Sequence, residues 1–307
     1  QLAGELTLPP SAAGGPEART ELQVRYARGE GIIVDGSSAP FHDALIRPAA
    51  GSEVEPAAQA AALRLDPIAD REEYAALAAL LGGQDPPTIE ALTGSDVPDA
   101  ARLGLRMKNL GVDRYSVWAP GESGSVLDAV RDQGVRCVVI DLGSLPTREE
   151  QSLVAAAVLG DLWRRRQDRD PVLIVIDEAH NVSPAEPQHP LAAVATEHAI
   201  RIAAEGRKFG LYLLLSTQRP QKIPENVLSQ ADNLVLMRLN SLADAAFAEA
   251  VFSFVPPSLI ERSAIFRQGE ALIAGKISPR QPALLRFGAR ISQEGGADVP
   301  ATWAAAR

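Results

Sequence analysis

Two apolar runs that each end in polar residues constrain the fold of this chain more than any other feature of its sequence. The first run, Val172–Ile176, is followed directly by Asp177 and Glu178. The second, at residues 211–216, leads into Gln218. Short, continuous apolar runs of this kind are typical of strands buried in a parallel sheet. Because open α/β sheets bind ligands at the carboxyl ends of their strands, the sequence predicts that two carboxylates and one amide meet in a single crevice.

Strands and helices alternate around these two runs. Strands are predicted at residues 135–142, 172–176, 211–216 and 234–239, with a closing hairpin at 270–275 and 283–287. Thr147 and Glu150 have the spacing of a capping box, which opens a helix, and a second long helix is predicted at about 192–206. The buried stripe of the first helix is predicted to consist of Val154, Ala157, Val158 and Leu162. This alternation predicts an α/β fold with a mainly parallel sheet flanked by helices.

The chain divides into four predicted regions. These are an irregular region at 1–60, a helical insertion at 61–134, an α/β core at 135–295 and a tail at 296–307. The first region contains Pro and Gly pairs and one predicted short strand within 31–36. The insertion holds predicted helices near 70–82 and 98–110 but no motif that carries chemistry. We therefore expect a reaction centre in the third region.

The composition is that of a globular protein, with 46% hydrophobic and 22% charged residues. No apolar run approaches the roughly 20 residues that span a bilayer. The net charge of -9 argues against a broad nucleic-acid-binding surface, although a ring with an acidic outer face and inward-facing cations is compatible with it. The single cysteine, Cys137, fits a reducing cytoplasm and is predicted to be a buried core thiol.

The polar strand ends suit phosphoryl transfer to water, which needs a metal ion near the phosphates and a group that positions the water. Asp177 would hold Mg²⁺ through a bound water, and Glu178 would polarise the attacking water. Gln218 would hydrogen-bond a γ-phosphate or that same water. The alternatives are a simple acidic turn after a core strand and, for Gln218, a turn fixed by Pro220.

Other charged residues near these runs have two interpretations each. Arg207, between two glycines at the end of the long helix, would reach a phosphate in a neighbouring subunit, or would simply cap that helix. The three arginines at 164–166 are interpreted as favourable charges at a helix C-terminus rather than as a DNA-binding patch. Glu178, His180 and His189 lack HExxH spacing, which disfavours a zinc cluster.

Several segments together resemble HerA/FtsK-superfamily P-loop ATPases, in particular the bacterial HerA-like proteins. They read IVIDEAHN at 174–181, RIAAEGRKFGLYLLLSTQRP at 201–220, VLSQADNLVLMRLNS at 227–241 and GEALIAGK at 269–276. The segment LDPIADREEY at 65–74 also resembles the helical insertion of that subgroup. The combined strings are far more diagnostic than any one of them.

The resemblance implies a RecA-like ATPase core that uses ATP and Mg²⁺. Asp177 and Glu178 match the Walker B pair, with Asp177 at the metal. Gln218 matches the polar sensor at the end of the next strand, and Arg207 matches a trans-acting arginine finger. Arg238 matches an arginine that faces the nucleotide or a subunit boundary. Such proteins form hexameric rings that move double-stranded DNA through a central pore, and HerA members often work with a nuclease.

The sequence departs from the family in its phosphate-binding loop. It contains no G-x-x-x-x-G-K-[ST] motif, whose amides and lysine cradle the phosphates. The segment 269–276 has five residues between its glycines, and Ile277 follows Lys276. We therefore expect that the N-terminal part of the ATPase core is missing, that this fragment alone is inactive, and that its sheet exposes an apolar edge. Two alternatives stay open, a non-hydrolysing ring or scaffold subunit and a secretion- or conjugation-type motor.

Overall fold

The computed structural model describes residues 33–35, 54–81, 89–115, 117, 126–131, 137–278 and 281–288. In chain order the strands and α-helices are β1 (Ile33–Asp35), α1 (Pro56–Ala62), α2 (Arg71–Leu81), α3 (Ile89–Thr93), α4 (Pro98–Leu110), α5 (Val126–Arg131), β2 (Val139–Asp141), α6 (Arg148–Arg164), β3 (Val172–Ile176), α7 (Pro190–Glu205), β4 (Leu211–Leu215), α8 (Glu225–Leu228), β5 (Asn233–Leu236), α9 (Leu242–Val251), α10 (Pro257–Glu261), β6 (Glu270–Gly275) and β7 (Ala283–Arg286). The predicted tail and most of the region 1–60 lie outside the described residues.

In the predicted helical insertion, α4 is the longest described helix, and the sequence sets both of its ends. Pro98 occupies its first turn, where a missing backbone N–H is tolerated, and Gly111 follows its last residue with a left-handed φ of 66°. Leu103 and Met107, four residues apart, are fully buried. Helix α4 contacts both α2 and α3. The helices predicted near 70–82 and 98–110 are therefore confirmed.

An ion pair fixes α4 against the turn that precedes α2. Arg106 donates to both carboxylate oxygens of Asp70, at 2.8 and 3.1 Å, and to the carbonyl oxygen of Arg64 at 3.1 Å. The backbone N–H of Asp66 and the Arg106 guanidinium hold the pKa of the Asp70 carboxyl below its usual range. The carboxylate therefore keeps its charge, and with it this link, to a lower pH than an isolated aspartate would.

Helix α6 begins at the predicted capping box. The Thr147 hydroxyl accepts a hydrogen bond from the Glu150 N–H at 3.2 Å, and the Glu150 carboxylate accepts one from the Thr147 N–H at 3.1 Å. Of the predicted stripe, Val154, Ala157 and Leu162 are buried and Val158 is partly buried. The helix is buried on most of its circumference rather than along this stripe alone, since Leu153, Ala156 and Leu159 are buried too. Helix α6 is buried on several sides because α1, α5 and α7 all contact it.

The described strands form three hydrogen-bonded groups. β3 and β4 are parallel, with Val172 opposite Leu211 and Ile176 opposite Leu215. β1 and β2 are also parallel, whereas β5, β6 and β7 form an antiparallel group in that order. The α/β class and the closing hairpin of β6 with β7 are confirmed. The parallel pairing of β3 with β4 is the part of the fold that positions the candidate site.

Strand β2 is shorter than the predicted strand 135–142, of which the first two residues lie outside the described part. Asp141 Oδ1 accepts a hydrogen bond from the Gly143 N–H at 2.9 Å and so starts a 3₁₀ turn at Leu142. A side chain that bonds the backbone two residues onward competes with strand pairing. Cys137, which precedes β2, is exposed, so the prediction of a buried thiol is wrong.

One face of the β3–β4 pair is open. Leu173 and Val175 on β3 are 60% and 59% exposed, and Tyr212 and Leu214 on β4 are 50% and 48% exposed. The alternate side chains, such as that of Ile174, pack against the core. Because successive side chains of a strand point to opposite faces, the described helices cover one face of this pair only. The sequence predicts both as buried strands, and the open face departs from that prediction.

Helix α1 packs with the core helices rather than with the insertion alone. It contacts both α6 and α7. Glu55, directly before it, pairs with the buried ring of His198 on α7. Helix α1 thus runs across the boundary that the sequence predicts at residue 60.

Candidate functional site

The carboxyl ends of β3 and β4 lie side by side, and backbone hydrogen bonding continues beyond both strands. The Ser216 N–H donates to the Ile176 carbonyl at 2.9 Å, and the Ala179 N–H donates to the Ser216 carbonyl at 2.9 Å. Ala179 is fully buried and anchors the polar segment that follows β3. The two segments that the sequence predicts to meet are therefore fastened together by their own backbones.

Glu178 and Gln218 are in direct contact at this edge. The Gln218 amide nitrogen Nε2 donates to Glu178 Oε1 at 3.1 Å. The Glu178 side chain is 41% exposed, so part of the carboxylate faces solvent. The structure thus brings together the carboxylate and the amide that the strand-end pattern predicts to share one crevice.

Asp177 lies next to this pair and is exposed. Its Oδ1 accepts a hydrogen bond from the backbone N–H of Glu178 at 3.0 Å, which orients the carboxylate. Nowhere in the described residues do three or more His, Cys, Asp or Glu side chains form a group that could hold a metal ion by themselves. One exposed carboxylate nevertheless fits Mg²⁺, which takes oxygen ligands and retains several waters when it binds beside phosphates.

The backbone of Glu178 adopts a left-handed conformation, with φ of 46° and ψ of 48°. For a residue with a Cβ this geometry costs roughly 1 kcal/mol or more. The Asn181 N–H donates to the Glu178 carbonyl at 2.8 Å and holds the turn. The strained turn leads directly into the 3₁₀ helix Ala179–Asn181, so the extended chain ends at the acidic pair.

Two residues without an assigned role in the sequence analysis complete the site. His180 Nδ1 lies 3.1 Å from Thr217 Oγ1 and 3.3 Å from Glu178 Oε2. Thr217 Oγ1 also accepts from the Arg219 N–H at 3.0 Å, so its hydroxyl hydrogen can point to a neutral Nδ1. A protonated Nδ1 would instead donate to Glu178. We define the Glu178 cluster as Asp177, Glu178, His180, Thr217 and Gln218.

His189 is not part of the Glu178 cluster and has a structural task. Its Nδ1 accepts a hydrogen bond from the Ala192 N–H at 3.3 Å, which caps α7. Burial lowers the pKa of His189, and the neutral ring is the form whose nitrogen can accept. A combined metal site of His180 and His189, already disfavoured by their spacing, therefore has no support in the geometry.

Arg207 stands apart from the strand ends. It follows α7 in a 3₁₀ turn, Gly206–Phe209, and its side chain is 70% exposed. Its Nη1 donates to Asp232 Oδ2 at 3.2 Å. Arg238 is also exposed, beyond the end of β5. Within the described part of the chain, no hydrogen bond joins either arginine to the Glu178 cluster, so their assigned roles stay predictions.

Comparison with known proteins bears on the same segments. The chain is 31% identical over 185 residues to the DNA double-strand break repair helicase HerA of Sulfurisphaera tokodaii, covering 57% of this chain and 36% of that protein. It is 30% identical over 187 residues to the protein of the same name from Saccharolobus solfataricus, covering 57% and 35%. The resemblance to HerA helicases is confirmed. The match spans about a third of the length of these HerA proteins, and no protein-family model matches the chain.

A solved structure supports the fold of this HerA-like chain. VirB4 of Thermoanaerobacter pseudethanolicus matches it with a TM-score of 0.56 and 17% identity, over 90% of this chain and 80% of that one. At that identity the match bears on the fold alone, and it confirms the RecA-like α/β class. Among the described residues, none of the helices combines the length and apolar character that a bilayer crossing requires.

Proposed function

We propose that this chain is the catalytic part of an ATP-driven motor that moves or unwinds double-stranded DNA, as a HerA-type translocase or helicase. The observation that carries the proposal is the hydrogen bond of 3.1 Å between Gln218 and Glu178, which joins the ends of two neighbouring parallel strands. Similarity to proteins named as DNA repair helicases supports DNA as the partner. The motor would act in the cytoplasm as a homohexamer, with a nuclease as a further partner.

The Glu178 cluster offers the groups that ATP hydrolysis requires. Glu178 would polarise the attacking water with the part of its carboxylate that faces solvent. Asp177 would hold the Mg²⁺ that accompanies ATP, and the ion would neutralise charge on the phosphates. Gln218, an uncharged amide, can exchange Glu178 for the γ-phosphate as its hydrogen-bond partner. The same residue would thereby report whether the phosphate is present.

Two arginines are proposed to act across a subunit boundary. Arg207 lies on a surface turn and is 70% exposed, as a guanidinium that reaches a neighbouring copy must be. It would stabilise the charge that develops on the transferred phosphoryl group. Arg238, also exposed, is proposed to face the nucleotide or the same boundary.

The decisive experiment is the Glu178→Gln variant of the full-length protein that contains this chain. ATP turnover is expected to fall by about 10²-fold or more, because the amide cannot polarise water, while nucleotide binding persists. Glu197→Gln is the matched control, since Glu197 lies on the exposed face of α7 and pairs with Arg201. Normal turnover by Glu178→Gln would refute the assignment of the base.

The DNA part of the proposal has its own measurement. ATP turnover of the full-length protein is compared with duplex DNA, with single-stranded DNA and without DNA. A HerA-type motor is expected to be stimulated most by the duplex. Stimulation by single strands alone, or by neither nucleic acid, would favour the conjugation- or secretion-type motor instead.

A second candidate function is a ring subunit that binds a partner without hydrolysing ATP. The observation in its favour is that the sequence contains no G-x-x-x-x-G-K-[ST] motif. Such a subunit would bind Mg-ATP weakly or not at all, and Glu178→Gln would leave all its properties unchanged. Tight Mg-ATP binding by the full-length protein would exclude this function.

A further inference from the structure

Asp232 lies between two exposed cations that come from different parts of the chain. Its Oδ2 accepts from Arg207 Nη1 at 3.2 Å and from Lys276 Nζ at 2.7 Å. Asp232 directly precedes β5, Arg207 follows α7, and Lys276 directly follows β6. The three side chains are 44%, 70% and 63% exposed, respectively. The Asp232 carboxylate therefore links Arg207, the proposed arginine finger, to the antiparallel strands β5 and β6 at the protein surface.

The backbone around Asp232 is held firmly. The Lys276 N–H donates to the Asp232 carbonyl at 3.1 Å, and the Ile277 N–H donates to the Asn233 side-chain oxygen at 2.7 Å. Gly275 has a φ of 97°, and a Cβ on it would lie 2.1 Å from the Asp232 carbonyl oxygen. Only glycine permits this approach. The start of β5 is thus fastened to the end of β6, and the carboxylate has a fixed base.

The turn that carries Arg207 is held in place by contacts with α6 and β4. The Phe209 ring packs edge-on against Trp163 with ring centroids 6.0 Å apart, and the Arg166 guanidinium lies 4.6 Å from the centre of the Trp163 ring. Gly206 lies so close to β4 that a Cβ on it would come within 2.8 Å of the Leu211 carbonyl oxygen. The backbone on both sides of Arg207 is therefore positioned, and the direction of its long side chain is left to Asp232.

We propose that Asp232 is a positioning residue that aims the Arg207 guanidinium outward, toward the triphosphate of a neighbouring copy, with Lys276 as the second cation that the carboxylate orients. This inference rests on the proposed trans-acting role of Arg207. The bond to Asp232 uses one nitrogen of the guanidinium and leaves most of its N–H donors available. Exposed ion pairs are weak, so a phosphate can compete for Arg207 while Asp232 limits the orientations that the side chain explores.

Charge keeps this arrangement intact at neutral pH. Lys276, through its hydrogen bond, and Arg207 hold the pKa of the Asp232 carboxyl below its usual range. Because this pKa is lowered, the Asp232 carboxylate keeps its negative charge at neutral pH and below. When Arg207 binds a phosphate instead of Asp232, Lys276 remains hydrogen-bonded to Asp232. The carboxylate is therefore never without a cationic partner.

The test is steady-state ATP turnover of the full-length protein with Asp232→Asn. We expect kcat to fall about tenfold with KM within about twofold, since misplacing a catalytic group lowers the rate more than binding. Asp232→Glu should restore part of kcat. Glu205→Gln is the matched control, because it removes an exposed carboxylate near the same turn that pairs with Lys208 instead. Arg207→Ala is measured in parallel.

The outcomes separate this inference from the function on which it rests. Unchanged kcat in Asp232→Asn, with Arg207→Ala inactive, would overturn the positioning role alone. Unchanged kcat in both variants would overturn the finger assignment as well. A loss of kcat that comes with a lowered Tm and is not restored by Asp232→Glu would make Asp232 a structural residue and would also overturn the proposal.

Discussion

At the residue scale, the Glu178 carboxylate is approached on one oxygen by Gln218, at 3.1 Å, and on the other by His180, at 3.3 Å. These two neighbours come from the ends of different strands, Gln218 after β4 and His180 after β3. Thr217 competes with Glu178 for the same nitrogen of His180. The orientation of the proposed base therefore depends on a histidine that itself has two possible partners.

This arrangement predicts a measurable role for His180. Replacing it, as His180→Ala, should lower kcat for ATP about three- to tenfold with little change in KM, because Glu178 would lose one of the contacts that orient it. His180→Asn, which retains a polar group, should lose less. His189→Asn is the control, since asparagine also caps helices well. A KM increase with unchanged kcat would contradict a positioning role for His180.

The sequence predicted the meeting of Glu178 with Gln218 because spacing after a parallel strand determines which edge a residue occupies. The sequence did not predict the contacts of His180. They depend on the left-handed turn at Glu178, which no pattern of residue types predicts. The pairing of Arg207 with Asp232 was missed for a related reason. It joins residues 25 apart through the packing of separate elements, which periodicity does not encode.

At the scale of elements, α6 is the best-defined case of local sequence setting structure. Thr147→Ala removes the hydroxyl that accepts from the Glu150 N–H, and we expect it to lower the free energy of unfolding by about 1 kcal/mol. Urea denaturation followed by circular dichroism measures this loss. Thr147→Ser keeps the acceptor and should cost much less. Equal losses in the two variants would show that the methyl group, rather than the cap, is what matters.

Element type was predictable where periodicity and end signals agreed, as for β3, α7 and the β6–β7 hairpin. Burial was less predictable, because it depends on what surrounds an element. The Ala-rich turns of α6 allow neighbours to approach from several directions, which a single-stripe pattern does not indicate. The apolar residues of β3 and β4 indicated buried strands, but apolar character alone does not tell whether a layer covers each face.

At the scale of the whole molecule, the open face of the β3–β4 pair dominates the expected behaviour of the isolated chain. Four apolar side chains, Leu173, Val175, Tyr212 and Leu214, are each about half exposed or more on this face. Exposed apolar patches of this kind promote association. The 307-residue chain on its own is therefore expected to be poorly soluble or to self-associate.

Sedimentation velocity over a concentration series tests this expectation. The double change Val175→Thr with Leu214→Thr should reduce the association, because both residues lie on the open face and threonine retains strand propensity. Ile68→Thr is the control, since Ile68 is 85% exposed but lies between α1 and α2 rather than on β3 or β4. A monodisperse monomer of the unaltered chain that melts cooperatively would refute the expectation.

At Glu178, backbone strain lowers the stability of the protein, whereas the side chain is the proposed catalytic base. Glycine, and to a lesser degree asparagine, would occupy that conformation with less strain but without the carboxylate. A laboratory selection for heat resistance alone would therefore tend to enrich these residues at position 178 and abolish the proposed ATP hydrolysis. Heat tolerance in variants of this chain would have to be sought in the helices instead.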